Sequence, residues 1–310
     1  MSQNRQMPDF LIIGAGKSGT TSLDIYLDSH PSIFMSKRKD PGFFASEQYE
    51  ITEDMLPESK AYYEKFINIE EDYSALFRNA EENQIKGETS TIYLYSGKGY
   101  LRIKERIPNV KLIAILRQPA ERLYSRYLHL ARENLLPTKD FQDIFDKSSI
   151  WWHRPDLIQE GFYFKHLSRF YKIFPKENIK VFLYDDLKHN SQELFSELFR
   201  FLEVEHEFKP ITDVAYNQSG IIKNKFVNRL IGYNNPIFNL TKSFFPKQFE
   251  SLKRNPTAQK LISKIRSKNL EKPSMDITLN QKIMDTIYNE DVSKLENLIE
   301  KDLTSWKNPS

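Results

Sequence analysis

The stretch that decides the fold is "FLIIGAGKSGTTSLDIYL", residues 10–27. An apolar run enters a loop carrying Gly14, Gly16 and Gly19, and the loop opens into a helix-forming segment. Gly-Lys-Ser inside it spells the end of the ATP-binding P-loop, a signature of Gly, four residues, then Gly-Lys-Ser/Thr. Here the residue five before Gly16 is Leu11, inside the predicted strand, so the match fails where the loop must open wide. The partner strand fails as well. An ATPase needs a hydrophobic strand ending in Asp for Mg²⁺, whereas "VKLIAILRQP" leads into Arg117, a cation suited to an anionic ligand. What survives is strand, glycine loop and helix N-terminus. Backbone N–H groups of Lys17 to Thr21 converge on an anion at the positive end of a helix starting near Thr20. The candidate cradle is Gly16, Lys17, Ser18, Gly19, Thr20, Thr21 and Ser22: glycines for close approach, hydroxyls as donors, Lys17 as a point charge.

The whole chain narrows the field. At 310 residues with 39% hydrophobic and 13% aromatic content, it has enough apolar material for a sizeable core, which excludes general disorder. A net charge of +3 lacks the clustered basic footprint of a nucleic-acid binder. With no cysteine, disulfides, thiolate zinc sites and thiol catalysis are excluded, which suits a reducing compartment. The N-terminal "MSQNRQMPDF" has no apolar signal region, and no apolar run reaches the roughly 20 residues that span a bilayer. The expectation is a cytoplasmic chain without a membrane span or stalk.

Short apolar runs alternate with helical patterns through the first two-thirds, which predicts a parallel sheet with crossover helices. Strands are predicted at 9–13, 32–35, 84–88, 110–116 and 179–184; the last two are rich in Val, Ile and Leu, as strands buried on both faces should be. Helices are predicted at Thr20–Ser29, Glu58–Asn68, Glu70–Asn79, Glu121–Asn134 and Gly161–Ile173. After the fifth strand, "HNSQELFSELFRFLEV" carries Leu194, Phe195, Leu198, Phe199 and Leu202 at helical spacing behind Asn190 or Ser191 as a cap. Residues 206–240 show few elements, 241–272 are Lys-rich with Phe and Leu interleaved, and the last thirty return to amphipathic helix through Leu295, Leu298, Ile299, Leu303 and Trp306. The organisation expected is a single domain, an α/β core over about 8–205 followed by a loop and helical extension over about 206–310.

"PDFLIIGAGKSGTTSLDIYLDSHPSIFMSKRKDPGFF" resembles the 5′-phosphosulfate loop of the sulfotransferases that use 3′-phosphoadenylyl sulfate (PAPS). "LIAILRQPAERLYSRYLHL" is similar to that family's second motif at Arg117, Pro119, Glu121, Arg122 and Ser125. Looser similarities lie in "EGFYFKHLSRFYKIFPKENIKVFLYDDL", in "NQSGIIKNK" and in "LENLIEKDLTSW", so the resemblance spans nearly the whole chain. The Lys-x-Pro-x-Phe-Phe-like segment places it nearer the bacterial and glycan-modifying, heparan sulfate sulfotransferase-like branch than the small-phenol branch. The resemblance implies the P-loop-like α/β sulfotransferase fold, with PAPS as donor leaving as adenosine 3′,5′-bisphosphate. It implies Arg117 and Ser125 on the 3′-phosphate, with Gly220 and Lys223 of a late loop nearby, and Lys17 at the bridging oxygen between sulfur and the 5′-phosphate.

For the base, the resemblance offers two carboxylates. "KDPGFF" places Asp40 where the glycan branch has its catalytic Glu and Gly42 where it has His, and Glu88 in "KGETSTIYLY" stands at the family's strand-end Gly-Glu. Thr89 replaces the family's following Lys, removing an expected cation. None of His30, His129, His153, His166, His189 and His206 aligns with the histidine base of the small-molecule branch. "WWHRP", residues 151–155, is either a stacking platform for a flat acceptor face or a core anchor. The expected activity is metal-independent, in-line sulfuryl transfer from PAPS to a hydroxyl, of a carbohydrate rather than a lipid or small metabolite. A P-loop-type kinase and a catalytically impaired nucleotide binder are the alternatives.

Overall fold

The computed structural model describes residues 6–48, 57–138, 140–210, 221–222, 270–271 and 273–308. Five parallel strands form one sheet in the order β2-β3-β1-β4-β5. They are β1 (Phe10–Gly14), β2 (Ile33–Met35), β3 (Ile85–Thr89), β4 (Lys111–Leu116) and β5 (Ile179–Leu183). Each lies within a residue of its predicted bounds, because short Val/Ile/Leu-rich runs between turn residues have no competing helical period. β1 is central, with Leu11 opposite both Glu88 of β3 and Leu112 of β4. Leu11 is fully buried in that ladder, so no phosphate loop can begin there.

The connection after β1 leads to β2 at one edge, and β4 follows on the other side of β1. This reversal opens a crevice beyond the strands' C-terminal ends, where α/β folds place ligands. Three segments reach it: the loop after β1, residues 90–91 after β3, and Arg117 after β4.

Alternation along the strands sends successive side chains to opposite faces. Phe10, Ile12, Ile113, Ile115 and Phe182 meet Leu23, Tyr26 and Leu27 of α1 (Thr20–Asp28) and the apolar stripe of α10 (Ser191–Leu202) in one core. The five predicted stripe residues of α10 are all buried, each contributing about 1.5–3 kcal/mol. Its N-cap is Asn190, without a side-chain capping bond.

The other helices before β5 are α2 (Pro57–Tyr63), α3 (Glu70–Ser74), α4 (Ile92–Tyr95), α5 (Gly99–Arg106), α6 (Pro119–Glu133), α7 (Ile150–His153) and α8 (Tyr163–Tyr171); α9 (Tyr184–His189) follows β5. α2 and α3 are shorter than expected. The α3 segment tightens into a 3₁₀ turn over Ala75–Phe77, a common way for a helix to end. The helices α4, α5, α7 and α9 were not anticipated: α4 and α7 are four residues each and show no period, and α5 and α9 are short and mostly polar.

The C-terminal segment forms α11 (Ile277–Ile283), a π-helical turn over Met284–Tyr288, α12 (Asn289–Ile299) and α13 (Thr304–Lys307). It packs within the α/β unit, α12 lying on α8. Asp291 of α12 accepts from Phe164 N (2.9 Å) and Lys165 N (3.1 Å), capping the first turn of α8. Burial pushes Asp291 up to about 6, against the two amide bonds that hold its charge. Gln118 Nε2 donates to Asn280 Oδ1 (2.7 Å) and to the Trp306 carbonyl (3.2 Å), fastening this segment to the turn after Arg117.

By packing, the chain forms two compact units. One comprises residues 1–124, 137–217 and 276–310, the other 125–136 and 218–275. In the second, β6 (Ile221–Ile222) and β7 (Leu270–Glu271) pair antiparallel.

Candidate active site

Among the described residues, five non-glycine positions have positive φ. Asn134, Glu203 and Glu300 follow the ends of α6, α10 and α12, where the left-handed conformation is ordinary. The other two are Lys17 (φ 67) and Asp40 (φ 52), both in loops at the C-terminal edge of the sheet. Non-glycine residues are held this way at some energetic cost, and such positions gather at functional sites.

The loop after β1 is fixed from below. Gly16 N donates to Glu160 Oε1 (2.6 Å), and Glu160 Oε2 pairs with Arg122 (2.9 Å), both side chains fully buried. Arg122 also donates to the carbonyls of Asp156 and Leu157. A buried pair of this kind adds little net stability, but each charge left alone would be costly, so the pair fixes geometry. Arg122 was legible as a motif residue; its partner Glu160 opens the looser "EGFYF" segment, where no role was read for it. Above this anchor, Gly19 (φ 91) forms the N-cap of α1. The first-turn N–H groups of any helix lack intrahelical partners, and here Thr20, Thr21 and Ser22 supply them beside Lys17. Ser18, Thr20 and Ser22 are buried around the loop.

Arg117 stands just past β4. Its guanidinium lies over the Tyr184 ring, 4.9 Å from the centroid, and pairs with Glu121 one turn on (2.8 Å). Its carbonyl accepts from the Tyr163 hydroxyl (2.9 Å). Tyr184 also bounds the cradle: a Cβ at Gly19 would come within 3.1 Å of its ring and 2.9 Å of Leu187. Tyr184, predicted as the last residue of the fifth strand, instead opens α9 and touches both Arg117 and the loop at Gly19. Ser125 is buried on α6, in the second unit. Gly220 and Lys223 lie outside the described residues.

The two candidate carboxylates are in opposite settings. Glu88, at the end of β3, is fully buried. Its Oε1 accepts from Tyr73 (3.1 Å) and Tyr93 (2.7 Å), and its Oε2 from Ser90 (2.9 Å). Burial pushes it up to about 8; the hydroxyls of Tyr93, Ser90 and Tyr73 resist this, and the charge of Asp40 adds to it. Asp40 is half-buried and tied to the strand end by backbone, its N–H donating to the Thr89 carbonyl (2.8 Å). Its Oδ1 accepts from Thr91 N (3.1 Å), and among the described residues no hydrogen bond reaches Oδ2. Ser90 Oγ also accepts from Gly42 N (3.1 Å), so Glu88 orients a hydroxyl that holds the Asp40 loop.

Gly42 (φ 64) explains the missing histidine. A Cβ there would lie 2.4 Å from the Phe66 ring, which occupies the side-chain space. Phe66 makes edge contacts with Tyr62 and Tyr63, giving an aromatic cluster beside the Asp40 loop. The tryptophan pair divides. Trp151 is fully buried and donates to Thr138 (2.9 Å), an anchor, while half-buried Trp152 donates to the Ile144 carbonyl (2.9 Å). Buried His166 is pulled down to about 4 by desolvation, and its Nε2 is within 2.7 Å of the Gln159 carbonyl. It is a packed residue of α8.

A helix N-terminus with hydroxyls and Lys17, and an arginine past the next strand, make a donor set suited to a nucleotide bearing two separate phosphate groups. The residues fit PAPS. The chain belongs to the sulfotransferase domain family, which matches residues 7–303, and it is a PAPS-dependent sulfotransferase. Over its full length it is similar to a solved sulfotransferase of Alicyclobacillus acidocaldarius, with TM-score 0.69 and 24% identity, covering 97% of this chain and 99% of that one. It is 22% identical to the membrane-associated sulfotransferase kil1 of Dictyostelium discoideum, over 78% of this chain and 67% of that protein. It is 28% identical to bifunctional heparan sulfate N-deacetylase/N-sulfotransferase 4 of Mus musculus, over 64% of this chain. The chain spans about a quarter of the length of such heparan sulfate relatives, 22% for the mouse protein and 26% for one from Caenorhabditis briggsae. Among the described residues no helix is long and apolar enough to cross a membrane.

Proposed function

We propose that the chain transfers a sulfuryl group to a carbohydrate hydroxyl, with Asp40 as the base and Lys17 stabilising the leaving oxygen. The observation that carries Asp40 over Glu88 is the state of their oxygens. Asp40 has one oxygen held by Thr91 and the other open, while both oxygens of Glu88 are occupied in a closed core. A general base needs one oxygen for positioning and one for the incoming proton. Bound PAPS supplies the sulfuryl group and leaves as adenosine 3′,5′-bisphosphate. The acceptor's proton passes to Asp40 Oδ2, and Lys17 with the first-turn N–H groups of α1 faces the charge that develops on the 5′-phosphate oxygen. Arg117 holds the 3′-phosphate. Ser125, Gly220 and Lys223 keep their assignments from the sequence motifs alone.

A carbohydrate acceptor is supported by the heparan sulfate names among the relatives and by the Tyr62–Tyr63–Phe66 cluster, whose ring faces suit the C–H faces of a sugar. The test is PAPS consumption against a panel of neutral and sulfated glycans. Asp40→Asn is expected to lower turnover by about 10²-fold or more while adenosine 3′,5′-bisphosphate binds within twofold of wild type. Unchanged turnover removes Asp40 as the base. Binding of the bisphosphate with no PAPS consumption on any acceptor would instead favour an impaired nucleotide binder.

A further inference from the structure

Lys39 precedes Asp40, and among the described residues its ammonium does not pair with an acid. Among the described residues it makes one hydrogen bond, to Thr21 Oγ1 in the first turn of α1, and no ion pair. Asp24 and Asp40 act on it only at longer range. An ammonium has three N–H donors, so this half-buried group brings two unspent donors to the edge of the phosphate cradle. Holding a lysine there has a cost: burial pulls its pKa below the ordinary lysine range, against the two carboxylates. Thr89, at the position where the family resemblance leads one to expect a lysine, cannot supply a cation. Its hydroxyl donates to Asp24 Oδ2 (2.5 Å), which keeps that carboxylate on the sheet side.

We propose that Lys39 is the second cation of the donor site, its ammonium meeting the non-bridging oxygens of the sulfuryl group while Lys17 faces the bridging oxygen. This rests on reading the loop after β1 as the PAPS cradle. In the transfer, the acceptor oxygen bonds to sulfur as the sulfur–oxygen bond to the 5′-phosphate breaks. The electron pair stays on the phosphate oxygen and the acceptor's proton goes to Asp40. With its ammonium at Thr21 and its neighbour Asp40 taking the proton, Lys39 would hold the oxygens of the transferring group.

Adenosine 3′,5′-bisphosphate lacks the sulfuryl group, so titrating each variant with it and with PAPS separates Lys39 from the rest of the cradle without an acceptor. Lys39→Ala is expected to weaken PAPS by about tenfold to a hundredfold, the scale of a charge-assisted hydrogen bond, and the bisphosphate by less than twofold. Lys17→Ala should weaken both. Lys39→Arg, which keeps the charge, should retain the preference for PAPS, and adding Thr89→Lys to Lys39→Ala should restore part of it. Equal losses for the two nucleotides in Lys39→Ala, or none, overturn the assignment of Lys39. Wild-type protein that binds neither nucleotide overturns the cradle reading itself.

Discussion

The two faces of the sheet are held by different forces. On the α1/α10 face Phe10, Ile12, Ile113 and Ile115 pack against the apolar stripes of the two helices, and polar ties such as Thr89 to Asp24 and Lys180 to Glu197 lie toward its margins. The α8/α12 side is crossed by buried polar ties: Glu160 to Gly16 and Arg122, Tyr163 to the Arg117 carbonyl, Asp291 to the first turn of α8, Gln118 to Asn280. Apolar burial is non-directional and tolerates small displacements, whereas a hydrogen bond weakens steeply off its geometry. Both sides bury apolar residues, Leu167, Phe170, Val292 and Leu295 among them on the α8/α12 side, but the buried polar ties there add direction and set where the loops at the crevice stand.

This contrast can be broken by substitution. The largest effect is expected from Glu160→Ala, which strands the Arg122 guanidinium in the core and releases Gly16 N–H. It should cost about 3–5 kcal/mol in denaturant unfolding and weaken bisphosphate binding by more than tenfold in protein still folded at low temperature. Binding within twofold of wild type would show that the tie does not position the loop. On the other face, Leu198→Ala should cost about 2–5 kcal/mol through the cavity it leaves, with nucleotide affinity unchanged. A comparable loss of affinity would erase the distinction between the faces.

The smallest effect is a slope. Glu88, raised to about 8 by burial, keeps its proton in the folded protein at pH values where an unfolded glutamate has lost it. The folded state binds the extra proton, so its stability should fall as pH rises from the ordinary glutamate range toward 8. Glu88→Gln should flatten that part of a melting-temperature profile, and identical profiles would count against the buried acid. Asp291, raised to about 6, adds a fall of the same sign over a lower and narrower window.

Much of this was legible in the chain. The β1–loop–α1 unit, the five strands and the α10 stripe follow from local pattern, because side-chain alternation and helical spacing are properties of neighbours in sequence. Leu11 and Arg117 closed the ATPase reading from the residues alone. The helices over Ile92–Tyr95 and Ile150–His153 were not legible, since one turn carries no period and tertiary contacts hold it.

Read alone, the chain supplied the fold and a set of candidates: the Gly-rich loop at Lys17, the arginine past β4, and two carboxylates offered as bases. Tertiary structure decided how those residues are used. The difference between Asp40 and Glu88 depends on Tyr73, Tyr93, Ser90 and Thr91 closing around them. Glu160 reaches Gly16 across 144 positions of sequence, and Lys39 meets Thr21 only because β2 brings the chain back beside β3. Solvation and hydrogen-bond partnership are set by what folding brings near, and no local pattern encodes them.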